Sequence, residues 1–234
     1  MIKIIYKTAL AEYKPFPSKD KDSYLELLSS NKRGLYTGEM GIYISRQVDM
    51  DGQKLYFPFI DIDSDQGLNG DDAIESAIVN AALTLGILRK MQADNYFTLI
   101  ASGGTGLRLS STMLLDYDTY QAFTELVQSD MPHIHDLQPT DHLTMPHQLL
   151  AYKGNPAQNT KTLIDRHSEI FPASLIFNNE MTVARYKELT AGKIDPYSAI
   201  ESTEKLLSFK PITDLSVLGE LGKKLTEYKE IGKE

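Results

Sequence analysis

Along the first half of the chain, apolar and polar positions switch between two periods. Residues 41–48, GIYISRQV, alternate apolar and polar, the two-residue period of a strand with one buried face. Asp51-Gly52 reads as a turn, and LYFPFIDID, 55–63, as a second strand rich in aromatic and β-branched residues, so the two form a hairpin. Pro58 lacks the amide that a ladder needs, which moves part of the second strand toward a sheet edge or a bulge. Then the period changes. Ile74, Ile78, Ala81, Leu85 and Leu88 recur at spacings of four and three, one apolar stripe of a helix. Asp72 with Glu75 makes a capping box for that helix, and Arg89-Lys90 suits the negative end of its dipole.

Strand periods return at YFTLIAS, 96–102, and, after a glycine-rich turn, at LRLSSTMLL, 107–115. Asp118 is expected to cap a helix running to about Gln128, with Tyr120, Phe123 and Val127 on one face. Residues 131–161, rich in Pro, His, Asn and Gly, read as irregular, and TLIDRH, 162–167, as a short strand. From about Glu180 the chain turns helical and more charged, ending in KKLTEYKEIGKE. These patterns divide the chain into a main domain, 1–178, and a helical appendage, 179–234, which could also open a linker in a longer protein. The N-terminal MIKIIYKTAL has no long apolar core or small-residue cleavage site and reads as a first strand rather than a signal peptide.

Composition narrows the chemistry. The 234 residues are 41% hydrophobic and 24% charged, the balance of an ordinary globular protein. No apolar run approaches bilayer-spanning length, so no membrane association is expected. There is no cysteine, which excludes disulfides, thiolate nucleophiles and cysteine-held zinc or iron–sulfur clusters, and fits a reducing cytoplasm. The net charge of −8 argues mildly against a protein that grips long duplexes through many phosphates.

Two segments carry chemistry. FPFIDIDSD sets Asp61 and Asp63 two apart, on one face of a strand. Paired carboxylates repel unless a cation sits between them, and hard ions such as Mg²⁺ or Mn²⁺ favour such oxygens. The plain alternative is an exposed acidic strand end, with Asp65 already in the following loop. The second segment is Ser102-Gly103-Gly104-Thr105-Gly106-Leu107-Arg108, between two strands. Its glycines admit positive φ and close approach of a ligand, and successive amides in such turns can cradle phosphate, although such a turn on its own is more often a tight hairpin. No Walker A loop, nucleophile elbow or dinucleotide fingerprint occurs in the chain.

In order, a strand ending in D-x-D, an amphipathic helix and a strand running into S-G-G-x-G-L-x resemble the archaeo-eukaryotic primase superfamily over roughly residues 40–165. That superfamily comprises primase small subunits, primase-polymerases and the polymerase domains of bacterial end-joining ligases. The resemblance implies an α+β catalytic core, with a distorted, antiparallel or mixed sheet of the RNA-recognition type flanked by helices, plus the small C-terminal helical segment. It implies a DNA primase or primase-polymerase that transfers nucleotides from nucleoside triphosphates in replication or repair by a two-metal mechanism with Mg²⁺ or Mn²⁺.

Residue by residue, the first family motif falls on Asp61 and Asp63. The second, S-G-x-x-G-h-H, falls on Ser102, Gly103, Gly104, Gly106 and Arg108, with arginine where the family has a phosphate-contacting histidine. The third, D-x-x-V-T followed by an apolar pair, a basic residue and a K-T loop, falls on Asp141-His-Leu-Thr144, Leu149-Leu150, Lys153 and Lys161-Thr162. Asp141 is thus the implied third metal ligand, Asp165 its rival, and Lys153 and Lys161 implied phosphate contacts.

Implied partners are a single-stranded DNA template, a primer, nucleoside triphosphates and a helicase or primase accessory subunit, in a prokaryotic cell or mobile element. All five histidines, His133, His135, His142, His147 and His167, cluster in one stretch, and a histidine zinc site there competes with ordinary polar loop residues. Arg46 is a further phosphate contact to consider, and Tyr36, Tyr43, Tyr56 and Tyr96 either stack on bases or fill the core. Two other classes stay open: a weak or inactive primase-like module binding nucleic acid or partners, favoured by Arg108 and the acidic balance, and a D-x-D glycosyltransferase using a nucleotide-sugar.

Overall fold

The computed structural model describes residues 48–131, 169–192 and 209–231, and elsewhere the backbone alone of short strands at 5–7, 13–15, 42–45 and 146–150 and of Gln47. In chain order the strands are β1 (Ile5–Lys7), β2 (Tyr13–Pro15), β3 (Ile42–Ser45), β4 (Gln47–Met50), β5 (Gln53–Tyr56) and β6 (Phe59–Ile62). Helix α1 (Gly70–Lys90) follows, then β7 (Phe97–Ala101), β8 (Leu107–Ser111), β9 (Met113–Leu114) and helix α2 (Tyr117–Asp130). Beyond them lie β10 (Pro146–Leu150), β11 (Glu169–Phe171), α3 (Ser174–Phe177), α4 (Val183–Thr190), β12 (Lys210–Pro211) and α5 (Glu220–Ile231).

The architecture is mixed α and β. Its centre is a four-stranded antiparallel sheet in the order β11-β7-β8-β6. Both β6 and β7 run antiparallel to β8, which lies between them, so β6, α1 and β7 form a split β-α-β unit. Alternation sorts the side chains. Ile60, Ile62, Leu99, Leu107 and Leu109 join one core with the apolar face of α1. Ala73, Ala77 and Ala81 recur every fourth residue on that helix face, and their small side chains let α1 lie close on the sheet. On the opposite face, Phe59 and Ile100 belong to a second cluster with Val48, Leu55, Phe57 and Leu114. Asp61 and Arg108 share that second face by register.

Several elements differ from the sequence expectation, each for a local reason. The hairpin forms over β4 and β5, closed by Asp51 at φ 51° and Gly52 at φ 80°, the left-handed pair that a type I′ turn requires. The single strand expected over 55–63 is two. Phe57-Pro58 breaks it, and β5 stays with β4 while β6 crosses to β8. The Pro58 carbonyl still accepts from the Ser111 amide at 2.9 Å. The Asp72–Glu75 capping box does not form: α1 begins at Gly70 with Asn69 as its N-cap, which leaves Asp72 inside the first turn. Nor does Asp118 cap α2. Asp116 does, its carboxylate accepting from the Thr119 amide at 2.9 Å and the Thr119 hydroxyl at 2.7 Å. Within the stretch expected to be irregular, β10 pairs with β3. The strand expected at 162–167 lies outside the described residues.

The described part of the C-terminal stretch shares the main core. Tyr186 of α4 and Leu221 and Leu225 of α5 belong to the cluster that holds Leu88, Leu99 and Leu126. Lys224 reaches Asp130 at 2.6 Å, and Lys229 donates to the Thr119 hydroxyl at 2.8 Å, so α5 runs back along α2 and is tied to both its ends. Residues 210–211 add a short parallel pairing to β9. Because Leu225 is fully buried, Leu225→Ala should cost about 2–5 kcal/mol. Chemical denaturation followed by circular dichroism checks this. A lower midpoint for the one global transition is expected, whereas an unchanged main transition would mean that α5 folds apart from the core.

Candidate functional site

The carboxylates and the glycine turn meet at one end of the central sheet. Asp61 on β6 and Arg108 on β8 are direct cross-strand partners. The Arg108 Nε donates to Asp61 Oδ1 at 3.1 Å. The arginine side chain is 14% exposed and the aspartate 32%, so the pair is half sheltered with one side toward solvent. Ion pairs of this kind gain more than fully exposed ones because water screens them less.

Asp63 follows the last residue of β6, beside Gly106, which precedes β8. A Cβ built on Gly106 would lie 2.8 Å from Asp63 Oδ1 and 3.1 Å from the Ile62 carbonyl oxygen. No L side chain fits there without moving the carboxylate, so the glycine is the clearance that lets the acidic strand end and the turn touch. The segment after β6 is also pinned to α1. The Asn80 side-chain amide donates to the Asp63 carbonyl at 3.2 Å, and the Asp65 amide donates to the Ser76 hydroxyl at 3.0 Å.

The turn itself is held by a chain of hydrogen bonds. The Ser102 amide donates to the Gly106 carbonyl at 3.0 Å, and Gly103 takes φ 76°. The Gly104 amide donates to Ser102 Oγ at 3.2 Å. The Tyr186 hydroxyl donates to the Gly106 carbonyl at 2.8 Å and lies 3.3 Å from Ser102 Oγ. A carbonyl can only accept, so it takes the single phenolic proton, and Ser102 must therefore donate to the tyrosine oxygen. Tyr186 is fully buried. Burial pushes its phenol up from the ordinary value, against smaller opposing effects of Ser102, the Gly103 backbone and the Arg108 charge.

Of the site residues expected from sequence, Asp61, Asp63, Ser102, Gly103, Gly104, Gly106 and Arg108 thus lie together. The Ser102 hydroxyl points into the buried relay, while Gly104 and Thr105 are half-buried at the tip of the turn. Asp141, Lys153, Lys161, Asp165, Arg46, His133, His135, His142 and His167 lie outside the described residues, as does the side chain of His147. Among the described residues no group of three His, Cys, Asp or Glu side chains converges as a metal site would. Tyr56 is buried against Tyr117 and Tyr120, and the half-buried Tyr96 packs against the main core with its hydroxyl on the Val217 carbonyl. Among the described residues no helix is long and apolar enough to cross a membrane.

Two contributors were missed in sequence. Asn80 sits in the alanine face of α1, where a polar residue among buried apolar ones was the available signal. Tyr186 sits in a stretch read as an appendage and carried none.

The donor chemistry suits a hard divalent cation in part. Two carboxylates stand in succession along one strand end, and the Arg108 guanidinium already occupies a cation's place on Asp61. No protein-family model matches this chain, and neither a curated protein nor a solved structure matches it.

Replacing Tyr186 with Phe leaves the Gly106 carbonyl without its buried donor and should cost about 1–3 kcal/mol at neutral pH. The raised phenol fixes the sign of the pH dependence. The wild type's advantage is complete below the ordinary tyrosine value of about 10 and is lost as pH rises toward the folded-state value. Denaturant titrations of both proteins at neutral and alkaline pH measure the difference; a gap that widens with pH would contradict the assignment.

Proposed function

We propose that this chain carries a template-directed nucleotidyl transferase of the archaeo-eukaryotic primase kind, extending or starting strands on single-stranded DNA from nucleoside triphosphates. The observation that carries the proposal is the Asp63 carboxylate seated against Gly106, which joins the acidic strand end to the serine-glycine turn. The same two segments carry the resemblance, and they are separated in sequence by the whole of α1. The split β-α-β unit supports the reading too, as the beginning of a sheet of the RNA-recognition kind. The fourth strand, β11, pairs with β7 and not with β6, which departs from the strand order of an RNA-recognition sheet.

In this reading Asp61 and Asp63, with Asp141 or its rival Asp165, would hold Mg²⁺ or Mn²⁺. When bound, such ions activate the attacking hydroxyl and neutralise charge that develops on the phosphates. The primer 3′-hydroxyl attacks the α-phosphate of the nucleoside triphosphate, the new phosphodiester forms, and pyrophosphate leaves. Arg108, with Lys153 and Lys161, would hold the triphosphate, the guanidinium by forked hydrogen bonds. The relay through Ser102 and Tyr186 keeps the turn from shifting while it does so. Most of the rate comes from positioning and charge compensation. A helicase or an accessory priming subunit would be the partner, and the cytoplasm the place of action.

A second reading has an observation in its favour. The Arg108–Asp61 ion pair neutralises one of the acids, and with the net charge of −8 this favours a primase-like module that binds nucleic acid or partners and turns over slowly or not at all. Primer extension and unprimed synthesis on single-stranded DNA with Mn²⁺ or Mg²⁺ separate the two. A transferase should give metal-dependent product that falls by more than about a hundredfold in Asp61→Ala and in Asp63→Ala. Folded protein that yields no product with any metal or nucleotide would leave the binding module as the better account.

A further inference from the structure

Helix α1 has a second face, turned away from the sheet. Its buried side carries Ala73, Ala77, Ala81, Thr84 and Leu88. Along the opposite side Glu75, Val79, Ala82, Leu83, Gly86 and Lys90 recur at spacings of three and four, one stripe of the helix. Val79 and Leu83, one turn apart, are each 52% exposed. Gly86 is the odd residue in this stripe. Glycine inside a helix weakens it relative to alanine. A Cβ built on Gly86 would meet nothing within 4 Å, so one copy of the fold does not require a glycine there. A second backbone lying close along this face would.

The charges of the stripe are sorted by end. Glu75 stands near the start of α1 and Lys90 is its last residue, and neither has an ion-pair partner among the described residues. A face that is acidic at one end, apolar in the middle and basic at the other complements itself when reversed. With a twofold axis between Ala82 and Leu83, Val79 of one copy falls on Gly86 of the other, and Glu75 of one falls on Lys90 of the other. One register satisfies both pairings, and the two helix dipoles run antiparallel.

We propose that the outer face of α1 binds a second copy of this chain, α1 packing antiparallel on α1 with Val79 seated over Gly86 and Glu75 paired with Lys90. The contact is isologous, so it closes as a dimer and does not grow into a filament. A single helix pair is at the low end of interface sizes, which sets a dissociation constant on the order of tens of micromolar. Asp61 and Arg108 lie on the sheet face away from α1, so the dimer leaves them clear and neither needs nor excludes nucleotidyl transfer there.

Sedimentation velocity on the whole chain, from about 1 to about 300 µM, tests this. Wild type should pass from monomer to dimer and no further, and Leu83→Glu should stay monomeric throughout. Glu75→Lys and Lys90→Glu each bring like charges together twice in the dimer and should weaken it about three- to tenfold. The double variant Glu75→Lys/Lys90→Glu should return to within about twofold of wild type. Gly86→Leu should abolish dimerisation yet raise the denaturation midpoint of the monomer, because leucine is the better helix former and the position has room for it. Circular dichroism checks that each variant is folded. A wild type that is monomeric at every concentration would overturn the proposal and leave the face to a different chain. So would a dimer indifferent to Leu83→Glu, or a double charge swap that fails to recover what each single swap loses.

Discussion

The register of β6 against β8 is the constraint on which the rest of the site depends. It sets Asp61 opposite Arg108 and Ile62 opposite Leu107, and carries Asp63 on to Gly106. Side chains alternate along a strand, so a slip of one residue would turn both acids into the apolar layer under α1 and expose Ile60 and Ile62. That slip is opposed from both faces. Ile60, Ile62, Leu107 and Leu109 are buried in the α1 core, and Phe59 is buried in the cluster on the other side. Gly106 adds a steric condition, because a side chain there would meet a carboxylate and a carbonyl at once.

The same arrangement concentrates charge where the apolar layers end. Removing Arg108 would leave Asp61 half sheltered without its partner, and breaking a sheltered pair costs more than the pair contributes. The pair is therefore weak evidence for stability, and its main effect is to fix where the two charges stand. Behind it, polar groups that could have been left unsatisfied are used to fix geometry. Asn80 holds the Asp63 carbonyl, and Tyr186 holds the Gly106 carbonyl from an element far along the chain.

Much of this was legible in the residue pattern, for physical reasons that differ by element. The stripe Ile74, Ala81, Leu85 and Leu88 marked α1 because a long amphipathic period admits few alternatives, and the D-G turn marked the hairpin because φ is positive at both positions. The caps were less legible: several acids stood near each helix start, and only the backbone geometry selects Asn69 and Asp116. Asp61, Asp63 and the glycine turn were found from local spacing. The ion pair between Asp61 and Arg108 was not, because it follows from pairing two strands that α1 and β7 separate. Tyr186 was invisible for the same reason, its partners Ser102 and Gly106 lying 84 and 80 residues away along the chain. The third acid and the lysines rest on sequence alone.

The mixed α and β fold brings the acidic strand end and the serine-glycine turn into contact, and the proposed nucleotidyl transfer rests on that contact. The most direct test is an anomalous difference map at the manganese edge, from crystals grown with Mn²⁺ and a non-hydrolysable deoxynucleoside triphosphate. A peak is expected within about 2.0–2.3 Å of carboxylate oxygens of Asp61 and Asp63, with the triphosphate beside the turn and Arg108 on its phosphates. Density for neither metal nor nucleotide at this place, with Arg108 still on Asp61, would contradict a metal-dependent transferase.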